Sequence, residues 1–158
     1  MTQRRHNIIV VSVLPPFDPQ GRLPPGVHSA EWQEFVQRFG WTPHRRRLIH
    51  GLQRALENLR NAGCLTAYID GSFVTNVERP GDFDACWDLV GVDLAKVDVV
   101  LKSFGNRRAL QKAKYLGELF PASFKADVSG RTFLDFFQTD KTTGEPKGIV
   151  SISLKGLP

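Results

Sequence analysis

The chain has 158 residues, so one domain is expected, and its 41% hydrophobic and 23% charged residues are ordinary for a soluble globular protein. Two cysteines are too few for a disulfide framework, and we expect both to be buried free thiols. The apolar run over residues 7–14 is too short to cross a membrane and has no signal-peptide cleavage site. We therefore predict a cytoplasmic protein that does not enter a membrane.

The net charge of +5 arises in residues 1–60, which hold nine Lys and Arg against four Asp and Glu, while residues 61–158 hold twelve of each. Basic clusters at residues 4–5 and 45–47 are typical of surfaces that bind nucleic acid, a nucleoside triphosphate or an acidic partner. They are also typical of a solvated helix face and a basic tail, which is the interpretation that we favour.

Prolines and glycines dominate residues 15–27, which excludes a helix or a central strand and predicts a loop or arm. We therefore divide the chain into an N-terminal strand and Pro/Gly-rich arm, residues 1–28, and a single domain, residues 29–158. Within the domain, Ser29 is the expected N-cap of a short amphipathic helix that ends at Gly40. Its apolar residues recur at helical spacing: Trp32, Phe35, Val36 and Phe39.

A second helix is predicted between Thr42-Pro43, where the proline suits the first turn, and Gly63. Its apolar stripe consists of Leu48, Leu52, Ala55, Leu56 and Leu59. Its other sides carry Arg45, Arg46, Arg54 and Arg60. The run Leu65 to Asp70 then predicts a strand, and Gly71-Ser72 predicts a tight turn at its end.

Residues 73–81 predict a short helix or an irregular crossing, followed by a turn. Alternation of residue types from Asp82 to Leu89 predicts a strand with one apolar and one acidic face. Asp93 is the expected cap of a further helix, and a basic helical segment follows Gly105. The charged residues of that segment are Arg107, Arg108, Lys112 and Lys114.

The remaining chain predicts a third strand, Leu116 to Pro121, which carries Glu118. A short aromatic helix is predicted at residues 133–137, a polar loop at 141–147 and a half-exposed strand at 149–154. Because strands and helices alternate, we predict an α/β (α+β) fold with a small mixed sheet flanked by helices.

Asp82 and Asp84 point to the same face of their strand, because side chains alternate with period two. Two like charges held that close usually enclose a divalent cation. The turn at Gly71-Ser72 offers backbone N–H groups that can approach a phosphate. A phosphate-binding turn near a metal-binding carboxylate pair indicates nucleotidyl transfer.

These positions resemble the motif of the nucleotidyltransferase superfamily, which includes polymerase beta, poly(A) polymerases and minimal antitoxin-type transferases. The resemblance covers roughly residues 43–121 and implies a nucleotidyltransferase-like core. In such a core, Asp82 and Asp84 would be catalytic ligands of Mg²⁺ or Mn²⁺. Gly71 and Ser72 would hold the triphosphate of an NTP substrate.

The resemblance also implies a third carboxylate on the next strand, which would bind the catalytic metal and receive the proton of the attacking hydroxyl. Glu118 in the third strand is one candidate, and Asp127 in the weaker strand-like run Lys125 to Val128 is the other. Superfamily members usually carry aspartate here, so a glutamate departs from the pattern. We favour Glu118, and Asp127 stays open as the alternative.

A second resemblance, to a mostly uncharacterised bacterial family of short stand-alone proteins with this core, spans nearly the whole chain. The matching stretches are residues 23–28, 70–75, 117–121, 136–138 and 147–149. This resemblance supports the fold and implies no substrate.

Three neighbouring groups have structural interpretations. Asp70 is expected to fix the turn through hydrogen bonds to the backbone, and Asp88 is expected to be solvated. The basic segment 107–114 either neutralises triphosphate oxygens or forms a solvated helix face.

We predict a metal-dependent nucleotidyltransferase that moves an NMP group from an NTP to a hydroxyl of a protein, an RNA such as tRNA, or a small molecule. Small transferases of this type resemble members of toxin–antitoxin and phage-defence operons. The alternatives are a catalytically inactive nucleotide- or partner-binding module and a nucleic-acid-binding protein that uses the basic first third. Residues 122–158 leave too little room for a template-directed polymerase. The aromatic first helix is compatible with packing on the core or on a second subunit.

Overall fold

The computed structural model describes residues 13–158, so the first twelve residues of the predicted N-terminal strand and arm lie outside the described residues. The described chain forms a mixed five-stranded sheet with four α-helices, which confirms the predicted α+β fold. The strands are β1 (Gly26–Ala30), β2 (Thr66–Asp70), β3 (Phe83–Trp87), β4 (Gly117–Pro121) and β5 (Gly148–Ser153). The helices are α1 (Trp32–Phe39), α2 (Pro43–Asn61), α3 (Gly105–Tyr115) and α4 (Phe133–Phe137). Among residues 13–158, no helix combines the length and the apolar character that crossing a membrane requires.

The strand order is β1-β5-β2-β3-β4, with β2 antiparallel to both of its neighbours. The outer pairs, β1–β5 and β3–β4, are parallel. Parallel neighbours need a crossover connection, and the connection that contains α3 joins β3 to β4. It places β4 in register with β3, with Phe83 opposite Gly117 and Trp87 opposite Pro121. This register decides which residue of β4 lies beside Asp84.

One face of the sheet packs on α1 and α2 and forms the main core. Ile69 and Leu119 of the sheet are fully buried there with Phe35 of α1 and Leu52 of α2. Because strand side chains alternate between the two faces, the residues next to Ile69 and Leu119 in sequence point the other way. The acidic residues of the strands are therefore on the face opposite the main core.

That opposite face carries a smaller aromatic cluster against α4. Phe120 of β4 stacks on Phe133 of α4, with ring centroids 4.1 Å apart. Phe137 and Cys86 complete the cluster, and this confirms the predicted short aromatic helix. Cys86 and Cys64 are both buried and unbridged, as predicted. The packing of α4 brings the loop after it to the same sheet face as the acidic residues.

The first two helices confirm the predicted amphipathic pair, with one correction to the caps. Ser29 does not cap α1, because it lies in β1 opposite Ser151, and Glu31 precedes the helix instead. Thr42 caps α2 as predicted, and its hydroxyl accepts a hydrogen bond from the backbone N–H of Arg45 at 3.0 Å. The division drawn before Ser29 between arm and domain falls inside β1.

The helix predicted after Asp93 is wrong. The segment forms two short 3₁₀ turns instead, Leu94–Lys96 and Val99–Lys102. Asp93 does cap the first turn, but Asp98 caps a second one by accepting a hydrogen bond from the N–H of Val100 at 3.0 Å. A side chain that competes for backbone donors in this way interrupts a helix even where the apolar stripe matches one.

The last strand is more interior than predicted. β5 lies between β1 and β2, so Ile149, Val150 and Ile152 are fully buried, while Ser153 is exposed. The prediction of a half-exposed strand is confirmed for the serines, since Ser151 is partly exposed and Ser153 is exposed, whereas Ile149 on the same face is buried.

Arg45 of α2 is fully buried, although it belongs to the basic cluster of residues 45–47. Its guanidinium donates hydrogen bonds of 2.5–3.2 Å to the carbonyls of Phe39, Phe73, Thr75 and Val77. The ring of Trp41 lies 3.6 Å from the guanidinium carbon. Burial lowers the pKa of Arg45 to about 10, so the group stays charged at neutral pH. The predicted solvated basic face is wrong for Arg45 and right for Arg46 and Arg47, which are exposed.

Replacement of Arg45 by Met should strongly destabilise the fold, because four backbone carbonyls would lose their donors. We expect the free energy of unfolding to fall by about 3–5 kcal/mol, measured by urea denaturation. Arg46→Gln is the matched control, since the hydrogen bond from Arg46 to the Gly40 carbonyl is exposed to solvent. This variant should change the free energy of unfolding by less than about 0.5 kcal/mol. An Arg45→Met variant as stable as the wild type would show that these hydrogen bonds do not hold the fold together.

Candidate functional site

Carboxylates from three neighbouring strands align in one row across the sheet. Asp70 of β2 is paired with Asp84 of β3, and Asp84 is paired with Glu118 of β4. Asp82 lies two residues before Asp84, so it points to the same face. Like charges directly opposite each other on adjacent strands are destabilising. Positive charge nearby offsets this repulsion, and Lys147, Arg108 and Lys112 lie beside the row.

Three of these carboxylates form one cluster. Asp82, Asp84 and Glu118 each offer an oxygen, and these oxygens all lie within 4.8 Å of one another. Elsewhere in the described residues, no group of three or more His, Cys, Asp or Glu side chains comes together this closely. The parallel register of β3 and β4 brings Glu118 beside the predicted Asp82/Asp84 pair.

Asp127, the alternative third carboxylate, lies outside the cluster. It sits in the loop after β4, where it accepts hydrogen bonds from the hydroxyl of Ser129 at 2.5 Å and from Arg131 at 2.8 Å. These bonds lower the pKa of Asp127. Asp88 also lies outside the cluster and accepts a hydrogen bond from the N–H of Val90 at 3.0 Å. Both residues therefore organise their own turns.

Burial and mutual repulsion favour a bound proton in the cluster. Burial, followed by the charge of Asp82 and the hydrogen bond with Glu118, raises the pKa of Asp84 to about 7. Burial and the charge of Glu118 also raise the pKa of Asp82. Burial opposes ionisation of Glu118 as well, but hydrogen bonds from Arg108 and Lys112 bring its pKa below the ordinary value. Burial and the neighbouring carboxylates thus favour the protonated form of Asp84, and a bound cation would compete with that proton.

Two cations tie Glu118 to α3. Arg108 donates to Oε1 of Glu118 through Nε and Nη2 at 3.1 and 2.8 Å, and the ammonium of Lys112 lies 3.1 Å from the same oxygen. Arg108 belongs to a left-handed turn, residues 106–108, with φ between 49° and 58°. Such a turn costs about 1–2 kcal/mol per residue, and strain of this kind is concentrated at functional sites. Of the predicted basic segment, Arg108 and Lys112 reach the cluster, whereas Lys114 forms an ion pair elsewhere.

The Gly71-Ser72 turn begins a 3₁₀ helix, Gly71–Val74, directly after β2. Gly71 has a φ of +77°, and a Cβ at this position would overlap Oδ2 of Asp84. Glycine is therefore required both by the left-handed backbone and by the carboxylate packed against it. Ser72 is exposed, and cavities of about 290 and 270 Å³ lie at the turn. The turn thus lies against the acidic cluster with its serine open to a ligand.

Asp70 is 2% exposed, and its Oδ2 has no hydrogen-bond partner. The ammonium of Lys147, in the loop before β5, lies 3.8 Å from Oδ1 of Asp70. Burial, followed by the charge of Asp84, raises the pKa of Asp70 well above its ordinary value. A backbone hydrogen bond from Gly71 acts in the opposite direction, so Asp70 contacts the turn as predicted. Its contact with Lys147 adds a link to the loop before β5.

The acidic cluster has the donor set of a magnesium or manganese site. Its three side chains offer oxygen atoms alone, which is the ligand type that both ions prefer in proteins. Burial and the neighbouring carboxylates raise the pKa of Asp82 and Asp84, so a positive charge bound between them would stabilise their ionised forms. The residues present therefore fit a divalent cation.

Sequence reasoning missed the structural role of Arg45 and the contact between Asp70 and Lys147. A signal for Arg45 exists, because it precedes Leu48 by three residues and Leu52 by seven and so lies on the apolar stripe of α2. No local signal predicts the contact of Lys147 with Asp70, since it depends on the antiparallel pairing of β2 with β5.

Gly71→Ala should destabilise the protein, because the new Cβ meets Asp84 and the residue must keep a left-handed conformation. We expect a loss of about 1–3 kcal/mol in the free energy of unfolding, measured by urea denaturation. Gly81→Ala is the control, since a Cβ at Gly81 would meet no atom within 4 Å. Equal stability of the two variants would contradict the close packing of Gly71 on Asp84.

Asp70→Asn should raise the melting temperature relative to the wild type, and by more at about pH 8 than at about pH 5. Because folding raises the pKa of Asp70, this residue contributes stability that is complete below its unfolded pKa of about 3.9. That contribution is lost as the pH rises through the folded pKa, and asparagine has no such loss. Thermal unfolding across the pH range tests this, and a difference in melting temperature that does not grow with pH would contradict it.

Searches of curated proteins and of solved structures find no match to this chain. A family of unknown function, DUF6932, matches residues 15–153. The match includes all five strands, the acidic cluster and the Gly71-Ser72 turn. The chain therefore belongs to the DUF6932 family.

Proposed function

We propose that the protein is a metal-dependent nucleotidyltransferase that moves an NMP group from an NTP to an acceptor hydroxyl. The observation that carries this proposal is the clustering of Asp82, Asp84 and Glu118 within 4.8 Å, against the Gly71-Ser72 turn. Nucleotidyl transfer needs carboxylates that hold a divalent cation next to groups that hold a triphosphate. The superfamily resemblance of the motif supports the same reaction.

Asp82, Asp84 and Glu118 would hold Mg²⁺ or Mn²⁺ through their carboxylate oxygens. When bound, the ion supplies neutralisation of the triphosphate charge and lowers the pKa of the attacking hydroxyl. The chain itself contributes the position of these oxygens, which the register of β3 with β4 sets.

The turn and the loop before β5 would hold the triphosphate. The backbone N–H of Ser72 and the serine hydroxyl would donate to phosphate oxygens, while Gly71, whose own N–H donates to Asp70, lets the backbone approach the phosphate. Lys141 and Lys147 line the cavity of about 290 Å³ at this turn, together with Ser72, and their ammonium groups complement phosphate charge. The carboxylate of Asp70 holds Lys147 in this position, with its Oδ1 3.8 Å from the ammonium of Lys147.

Glu118 would receive the proton of the acceptor hydroxyl, while Arg108 and Lys112 keep its carboxylate ionised and oriented. The acceptor oxygen forms a bond to the α-phosphorus as the bond from that phosphorus to the bridging oxygen breaks. Pyrophosphate leaves with the electron pair of the broken bond. The protein thus contributes positioning and charge neutralisation and forms no covalent intermediate.

A second candidate function is a nucleotide-binding module without turnover. The observation that favours it is the occupancy of Oε1 of Glu118 by both Arg108 and Lys112, which compete with a divalent cation for that oxygen. In this module the turn would bind the nucleotide and Glu118 would stay in its ion pairs.

We place the reaction in the cytoplasm, with a protein, an RNA such as tRNA, or a small molecule as the acceptor. The superfamily resemblance favours a role in a toxin–antitoxin or phage-defence system. Of the two packings left open for the aromatic face of α1, the structure has the one on the core, where Trp32, Phe35 and Phe39 are buried.

Incubation with each labelled NTP, Mg²⁺ or Mn²⁺ and candidate acceptors should give label transfer that depends on Glu118. Glu118→Gln removes a charged ligand and the proton acceptor, so we expect the rate to fall by at least about 100-fold. Asp127→Asn is the matched control, because it removes a carboxylate outside the cluster and should keep the wild-type rate.

Transfer that survives the double change Asp82→Ala and Asp84→Ala would contradict the assignment of the site. Calorimetry separates the two candidate functions. Binding of NTP in the presence of Mg²⁺, with no label transfer and no release of pyrophosphate, would favour the module without turnover.

A further inference from the structure

A further cavity, of about 430 Å³, adjoins the acidic cluster on the side of Asp82. It lies between the first turns of α2 and the last turns of α3, with Leu48 and Leu116 as its apolar walls. The cavities at the Gly71-Ser72 turn are lined by a different set of residues, which includes Asp84 in one of them. The acidic cluster therefore separates two cavities, one beside Asp84 and one beside Asp82.

Basic side chains line the cavity beside Asp82. They are His44 and Arg47 of α2 and Lys112 of α3. Arg47 is exposed, and within residues 13–158 it has no ion-pair partner. Lys112 is 42% exposed and lies 3.1 Å from Glu118, so one cation of the cavity touches the acidic cluster.

Structural interactions already engage the other arginines of the basic cluster. Arg45 is buried among backbone carbonyls, and Arg46 donates to the carbonyl of Gly40 at 2.9 Å. Arg47 is the member of this cluster that lines the cavity beside Asp82. The basic cluster at residues 45–47 thus has one residue with the exposure and position needed to bind a ligand.

We propose that this cavity binds the acceptor, and that the acceptor carries a phosphate group next to its reactive hydroxyl. Arg47 and Lys112 are placed to bind the phosphate, since guanidinium and ammonium groups form charge-assisted hydrogen bonds with phosphate oxygens. Leu48 and Leu116 provide apolar surface for a nucleoside. That the ligand of this cavity is the acceptor rests on the proposed function. That the ligand carries a phosphate rests on the residues that line the cavity.

The positions of the two cavities favour some acceptors over others among the proteins, RNAs and small molecules that the motif leaves open. An NTP held at the Gly71-Ser72 turn presents its α-phosphorus to the cluster from the Asp84 side. A phosphate held by Arg47 and Lys112 presents a neighbouring hydroxyl from the Asp82 side. An RNA terminus and a free mononucleotide both carry this chemistry, and a protein hydroxyl does not.

Fluorescence anisotropy with a 5′-labelled hexa-adenylate RNA that has a free 3′ hydroxyl tests the site. EDTA is present, so that binding is measured without metal or turnover. Arg47→Gln should weaken binding about tenfold, the loss expected for one charge-assisted contact. Arg46→Gln is the matched control, because it removes the same charge from the same helix outside the cavity, and it should leave binding nearly unchanged.

A steric variant provides a second test that does not alter charge. Gly81 lines the cavity, and a Cβ there would meet no atom within 4 Å, so Gly81→Val should fold normally and narrow the cavity. Weaker RNA binding by Gly81→Val supports the proposal. Unchanged binding in both Arg47→Gln and Gly81→Val, equal losses in Arg46→Gln and Arg47→Gln, or no binding by the wild type overturns it.

Competition distinguishes the two sources of the phosphate. Displacement of the labelled RNA by AMP identifies a mononucleotide acceptor, and displacement by unlabelled hexa-adenylate alone identifies an RNA terminus. Label transfer to protein at the same rate in the wild type and Arg47→Gln overturns this inference and leaves the proposed function intact. RNA binding that depends on Arg47, with no label transfer to any acceptor, supports the phosphate-binding cavity and contradicts the proposed function.

Discussion

The structure depends on one buried guanidinium. Arg45 donates to the carbonyl at the end of α1 and to three carbonyls in the segment that follows the Gly71-Ser72 turn. This segment has little regular structure of its own, so its backbone acceptors would lack donors without the arginine. The same interaction fixes the turn relative to α2. Gly71 packs directly on Asp84, so the position of the turn against the acidic cluster depends on the hydrogen bonds that Arg45 donates to the residues after the turn.

The cations that contact the acidic row lie at its two ends. Lys147 faces Asp70 at one end, and Arg108 and Lys112 hold Glu118 at the other. Asp84 lies between them with a raised pKa, because burial and its acidic neighbours oppose its charge. Asp70 and Asp84 therefore both have raised pKa values, whereas the cations beside Glu118 bring its pKa below the ordinary value. The left-handed turn that presents Arg108 adds strain beside the same row.

The two faces of the sheet differ in composition, because one forms the main core and the other carries the acidic residues. One face packs on α1 and α2 and contains most of the buried apolar surface, so the opposite face can hold charged residues at the ends of β2, β3 and β4. The aromatic cluster of α4 covers the apolar remainder of that face and places the loop that carries Lys141 and Lys147 over the turn. Cavities on both sides of the acidic cluster follow from this division, one toward Lys147 and one toward Arg47.

The sequence by itself determined the elements whose signals are local. Helical spacing located α1 and α2, and the cap at Thr42 marked the start of α2. Period-two alternation placed Asp82 and Asp84 on one face, and glycine marked the left-handed turn at Gly71. Only the tertiary structure decided that Glu118 rather than Asp127 joins this pair, that β5 is interior, and that Arg45 is buried. The physical reason is that strand order and register depend on contacts between segments far apart in the chain, which local periodicity does not encode. A charged residue on an apolar stripe likewise shows its role only when the carbonyls that accept its hydrogen bonds are in place.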